Sequence, residues 1–273
     1  MPNVGSKTIQ KLLQKFNSLE EIFNLSKKQL IQNEISKKLA ENIVSDEYRK
    51  NMEKYISYME REKINIITID DIEYPTKLKI IEGRPMYLYV KGNTNLLNKK
   101  CIAVVGTRNC TNYGKQIANE IAYKLVQNNV VVISGLAKGI DTYAHIGAVK
   151  KDASTIAVLG CGIDNIYPSE NKKLADKILN QNGLIISEYV MGAKIEKYNF
   201  PARNRIVSGL SDGVLVVEAP KKSGALITVD FALEQGKDVY VIPGNINNIC
   251  AEGSNQLLKE GAKFVDSVED IIQ

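Results

Sequence analysis

The residues that could do chemistry in this chain lie in short runs of glycine, hydroxyl and basic side chains, each following an apolar, β-branched stretch. Gly106-Thr107-Arg108 is the first, Ser134-Gly135-Leu136-Ala137-Lys138-Gly139 the second and Gly160-Cys161-Gly162 the third. Later come Phe200-Pro201-Ala202-Arg203-Asn204-Arg205, Glu218-Ala219-Pro220-Lys221-Lys222-Ser223-Gly224 and Pro243-Gly244-Asn245. Glycine lets backbone amides approach a ligand, serine and threonine add hydroxyls, and Asp141 and Ser223 can cap the helices that follow. Arg108, Lys138, Arg203 and Arg205 bring positive charge to the same loops. Any one loop taken alone reads better as a tight turn beside a surface charge. Their recurrence at successive strand ends is the composition of a phosphate-binding crevice. An aromatic flanked by guanidinium groups, as Phe200 is by Arg203 and Arg205, suits an unpaired base stacked above its own phosphate, and also suits an ordinary core position.

Other chemistries fit poorly. The dinucleotide fingerprint G-x-G-x-x-G is absent after the first strand, where Gly106 is followed by Thr107, Arg108 and Asn109. The P-loop pattern fails too, since Gly106 and Gly114-Lys115 are separated by seven residues and Gln116 follows the lysine. His145, the single histidine, has no serine or cysteine partner in view and reads as a helix-packing residue; one imidazole excludes a multi-histidine metal centre. Cys101, Cys110, Cys161 and Cys250 form no C-x-x-C pair and are expected to be free, mostly buried thiols. No cofactor is expected.

The elements that must position these loops are legible in the periodicity. Apolar runs at Cys101 to Val105, Val130 to Ile133, Thr155 to Leu159, Leu184 to Ile186, Val214 to Val217 and Val239 to Ile242 alternate with helix-length segments. Such near-continuous strands predict a doubly wound, mostly parallel, Rossmann-like sheet covered on both faces, with ligands beyond the carboxyl ends of its strands. Residues 64–98 are β-rich and broken by Pro75, Gly83 and Pro85, so they read as edge strands or a connecting arm leading into a domain spanning 64–273. Residues 1–63 carry apolar positions at three- and four-residue steps, with Ser18, Ser26 and Ser36 as candidate caps: a small helical domain of helix-hairpin-helix or SAM-like type. Its opening Pro2-Asn3-Val4-Gly5 could meet a phosphate at a helix start, or serve a structural or docking role. The formal charge of +5 over 273 residues permits an anionic partner without demanding one. The sequence contains no bilayer-length apolar run and no signal-peptide pattern, so a cytoplasmic protein is expected.

Taken in order, the runs beginning at Val105, Ser134, Ala157, Ser187, Phe200, Val217, Ser223 and Pro243 resemble the DprA/Smf family of DNA-processing proteins over about residues 64–265. The resemblance implies an extended Rossmann fold, without enzymatic activity, that binds and protects single-stranded DNA and helps load the RecA recombinase in natural transformation and recombination. It implies a homodimer formed through the carboxy-terminal part of the Rossmann domain. Many relatives carry a further winged-helix domain, and none is visible before Gln273. The family's pocket arginine and lysine fall on Arg108 and Lys138, and its F-x-x-R-N-R segment on Phe200, Arg203 and Arg205. Nucleic-acid contacts are therefore expected from Gly106, Thr107 and Arg108, from Ser134, Gly135, Lys138 and Gly139, from Phe200, Arg203, Asn204 and Arg205, and from Ser223 and Gly224. A competing reading is a Rossmann-like nucleotide phosphoribohydrolase with P-G-G-x-G-T-x-x-E, or a small-nucleotide-binding module. Here Phe231 stands where that enzyme's glutamate would follow Thr228.

Overall fold

The computed structural model describes residues 4–16, 18–151 and 153–272; Pro2 and Asn3 of the candidate amino-terminal phosphate turn lie outside them. Five helices come first: α1 (Ser6–Leu13), α2 (Leu19–Asn24), α3 (Lys27–Gln32), α4 (Lys37–Ile43) and α5 (Asp46–Glu62). Ser18, Ser26 and Ser36 each accept a backbone N–H from the third residue on, at 3.1, 3.3 and 3.3 Å, and Ser26 completes a capping box with Gln29. The helices α1–α4 close around Leu12, Phe16, Ile22, Leu30, Ile35, Ala40 and Ile43. Helix α5 ends at Lys63, whose φ of 55° turns the chain into the first strand, and its Tyr58 and Met59 pack onto the core of the following domain.

That domain is built on one nine-stranded sheet. The strands are β1 (Ile64–Thr68), β2 (Tyr87–Gly92), β3 (Cys101–Val105), β4 (Val131–Ser134), β5 (Thr155–Leu159), β6 (Leu184–Ser187), β7 (Gly213–Val216), β8 (Asp238–Val241) and β9 (Lys263–Phe264), in the spatial order β1-β2-β6-β5-β4-β3-β7-β8-β9. β2 runs antiparallel to both neighbours, and every other pairing is parallel. The six expected strands fall within one residue of their predicted ends. The β-rich arm joins the sheet as its first edge, while β9, too short to show a pattern, forms the other. Among the described residues no helix is long and apolar enough to cross a membrane.

The remaining helices are α6 (Thr76–Lys79), α7 (Asn112–Gln127), α8 (Ile140–Ala148), α9 (Lys172–Asn180), α10 (Asn199–Leu210), α11 (Gly224–Glu234), α12 (Glu252–Lys259) and α13 (Glu269–Ile272). Strands β3 to β7 are buried throughout because helices cover both faces. Alternate residues of β3 show the division. Ile102 and Val104 pack with Ala118, Ile121 and Leu125 of α7 and Ala144 of α8, whereas Ala103 and Val105 pack with Ile206 and Val207 of α10 and Val229 of α11. From β3 the chain builds outward through β4, β5 and β6, then α10 carries it back to β7 on the other side of β3. The connections diverge there, which opens a crevice beyond the carboxyl ends of β3 and β7.

Candidate nucleic-acid interface

The crevice measures about 470 Å3 and is walled by the loops after β3, β4 and β7 and by the first turns of α10 and α11. Its floor is tied together by main-chain bonds: the Thr107 amide donates to the Glu218 carbonyl at 2.7 Å and the Ile140 amide to the Thr107 carbonyl at 3.2 Å. Gly139 makes this closure possible. Its φ is +78°, and a Cβ there would collide with the Thr107 and Arg108 carbonyls. Beneath the first loop the buried Glu218 carboxylate accepts the Thr111 amide at 2.9 Å and hydroxyl at 2.6 Å, which fixes the start of α7.

Three features make the crevice fit for an anion with an aromatic ring. Arg108 is exposed at its lip, its guanidinium 5.7 Å from the centre of the Phe200 ring, and it makes no ion pair among the described residues. Tyr167, itself outside the crevice lining, backs Phe200 with a second ring 5.4 Å away, tilted by 39°. On the opposite wall, Ser223 caps α11 by accepting the Ala225 amide at 3.2 Å, so the exposed Gly224 and Lys222, which makes no ion pair among the described residues, stand at the positive end of a helix dipole. Asn204 reaches across to the Gly224 carbonyl at 3.4 Å, bridging the two helix starts.

The structure separates the expected contact residues into two groups. Gly106, Thr107, Arg108, Gly135, Phe200, Asn204, Ser223 and Gly224 line the crevice together. Ser134 does not: it is fully buried and its hydroxyl donates to the Val104 carbonyl at 2.7 Å, inside the sheet. Arg203 borders the crevice but is only 4% exposed. Its Nη1 donates to the Gly135 carbonyl at 2.7 Å and to the Val158 carbonyl, and it lies near the buried Asp141 carboxyl. Burial pushes the Asp141 carboxyl up, and the Arg203 charge and the Gly135 and Ala137 amides oppose that shift. Arg203 therefore ties the ends of β4 and β5 to α10 rather than offering free charge. Arg205, one residue past Asn204 on α10, points to the far side. It pairs with Glu188 at 2.6 Å and donates to the Gly83 carbonyl at 2.8 Å. Lys138 is exposed but outside the crevice lining, and it is paired with Glu170, which pushes its ammonium pKa up. Gly139 is outside the crevice lining, where its backbone lets the two loops close on each other.

Sequence reading placed Lys222 in the Glu218–Gly224 run without assigning it a contact, and assigned none to Tyr167. Lys222 could have been found as the cation just before the Ser223 cap, whereas Tyr167 is brought to Phe200 only by the packing of the loop after β5. His145 is fully buried, with Nδ1 at 2.8 Å from the Thr155 hydroxyl and its pKa pushed down to about 3, chiefly by burial: a packing residue, as expected. Cys101 and Cys161 are buried and all four thiols are free, but Cys110 and Cys250 are partly exposed.

The family described as DNA recombination-mediator protein A matches residues 65–273. The chain belongs to this family, DprA/Smf. Residues 1–47 match the SAM-like helix-hairpin-helix tandem. Among its relatives, DNA processing protein DprA of Streptococcus pneumoniae is 45% identical over 213 residues, covering 78% of this chain and 75% of that one. DprA of Bacillus subtilis is 44% identical over 211 residues, covering 77% and 71%. The crystal structure of the Streptococcus pneumoniae protein superimposes with a TM-score of 0.73 at 37% identity, covering 98% of this chain and 97% of that one. A solved structure of DNA processing protein A from Helicobacter pylori, concerned with its single-stranded DNA binding mode, matches this DprA/Smf member with a TM-score of 0.69 at 35% identity, over 76% and 94% of the two chains.

Proposed function

We propose that this DprA/Smf protein binds single-stranded DNA in the crevice at the β3/β7 switch point, without catalysing a reaction on it. The observation that carries the reading is the unpaired Arg108 guanidinium over Phe200, with Tyr167 beside it. A stacked base and its own phosphate need that combination, and an unpaired strand exposes both. Lys222 and the start of α11 face the same space and would take a neighbouring phosphate. The contacts are to charge and to π faces, so binding should tolerate any sequence.

The test is a titration of the protein with fluorescent single- and double-stranded oligonucleotides at several salt concentrations. Single strands should bind more tightly, with a salt slope near −0.7 per neutralised phosphate, and Arg108→Ala with Lys222→Ala should flatten that slope by about 1.4. A folded double variant with parental affinity and slope refutes the assignment. We extend the proposal to protection of the strand and delivery of RecA onto it during transformation and recombination in the cytoplasm. RecA assembly on a single strand coated with its binding protein should then accelerate when this protein is added. The exposed Leu233, Ile246, Ile249 and Phe264 support a homodimer through the carboxy-terminal part of the sheet domain. Light scattering that gives a monomer mass at micromolar concentration rejects it.

A further inference from the structure

A second groove, of about 480 Å3, runs along the surface between α7 and the end of α8. The two helices approach closely because α8 carries Gly147 at the contact: a Cβ there would lie 2.9 Å from the Asn119 carbonyl carbon and 3.0 Å from its Cα. Side chains flanking this contact form the walls of the groove. Lys115 and Tyr123 come from α7, Tyr143 from α8 and Lys150 from just beyond it. The Lys115 ammonium lies 5.8 Å from the centre of the Tyr143 ring, and that of Lys150 5.8 Å from the centre of the Tyr123 ring.

Neither lysine has a carboxylate partner among the described residues. Lys115 donates to the Asn112 side-chain oxygen at 3.3 Å and Lys150 to that of Asn119. The acid in the groove lining, Glu120, is held by Lys124 at 2.9 Å. The groove thus presents two uncompensated positive charges, each beside an aromatic ring, among amide side chains that can donate to phosphate or sugar oxygens. The two are lined from one stretch of chain: Asn109 lines the crevice, and Asn112, three residues on, lines the groove. From Lys115 to Tyr123 the helix advances about 12 Å at ~1.5 Å per residue, more than one nucleotide step of a strand.

We propose that this groove carries the continuation of the single strand leaving the crevice, with phosphates on Lys115 and Lys150 and bases against Tyr123 and Tyr143. The inference rests on the crevice binding single-stranded DNA. It makes affinity depend on strand length: a strand that only fills the crevice does not reach the groove, and a longer one does.

Two oligothymidylates, one of about 2 and one of about 20 nucleotides, separate the two sites in anisotropy titrations over a salt series. Lys115→Gln with Lys150→Gln should leave the short strand's binding unchanged. For the long strand it should weaken binding and flatten the salt slope by about 1.4. Tyr123→Leu should weaken the long strand alone by roughly 5-fold or more. A folded lysine double variant that binds the long strand with parental affinity and slope overturns the proposal, as does equal loss for both lengths. Failure of the crevice reading looks different: short-strand binding would be indifferent to Arg108→Ala and Lys222→Ala whatever the groove variants do.

Discussion

Arg203 and Arg108 belong to the same crevice, yet their replacement should fail in opposite ways. Arg203→Leu removes a guanidinium that is 4% exposed and that satisfies the Gly135 and Val158 carbonyls at the ends of β4 and β5. It also leaves the Asp141 carboxyl without the cation that opposes the cost of its burial. Removing one partner from a buried charged network costs about 3–5 kcal/mol, because the remaining polar groups stay buried and unpaired. That is a large share of a domain stability of roughly 5–15 kcal/mol. With a urea slope of about 2 kcal/mol/M, the unfolding midpoint should fall by roughly 1.5–2.5 M. Arg108→Leu, at an exposed site without an ion pair, should stay within about 0.5 kcal/mol of the parent while losing DNA affinity. Urea unfolding followed by far-ultraviolet circular dichroism, beside anisotropy titrations of both variants, decides the matter. If Arg203→Leu keeps the parental midpoint and loses affinity as Arg108→Leu does, Arg203 is a contact residue and the structural assignment is wrong.

Two further outcomes are expected. His145 is buried with its pKa lowered from 6.5 to about 3, so the unfolded chain binds a proton that the native state refuses. Its contribution is present above the unfolded pKa and is lost as pH falls, costing about 1.2 kcal/mol between roughly pH 7 and pH 5.5. The chain has one histidine, so His145→Asn should abolish most of that decline in urea midpoint, and an unchanged decline would exclude the mechanism. The helical module is pinned by Ser6, whose hydroxyl donates to Glu188 at 2.6 Å and accepts the Met86 amide at 3.0 Å, while Glu188 holds Arg205. Ser6→Ala should speed amide exchange in α1 and leave β3 to β7 protected, and equal acceleration in both would show that the contact is not a local clasp.

The sequence by itself determined the Rossmann-like sheet, the serine caps of the first helices, and the family. Those signals are local or run in one dimension: fully buried strands read as unbroken apolar runs, a cap is one hydroxyl beside one helix start, and family motifs keep their order. It also located the loops that line the crevice, because a glycine loop at a parallel strand's carboxyl end faces the crevice wherever the strand sits in the sheet. What it could not supply was the division of labour among the basic residues. Arg108, Arg203 and Arg205 look alike as letters. Position on α10 points Arg203 inward onto two carbonyls and Arg205 to Glu188, and only Arg108 keeps an uncommitted charge at the lip. Ser134 has the composition of a contact residue, but strand register sends its hydroxyl into the sheet. The tyrosines of the α7–α8 groove, like Tyr167 beside Phe200, gain meaning only from neighbours distant in the chain. Charge and ring type are properties of a residue, whereas whether they are spent internally or offered outward depends on burial and partners, which tertiary packing alone assigns.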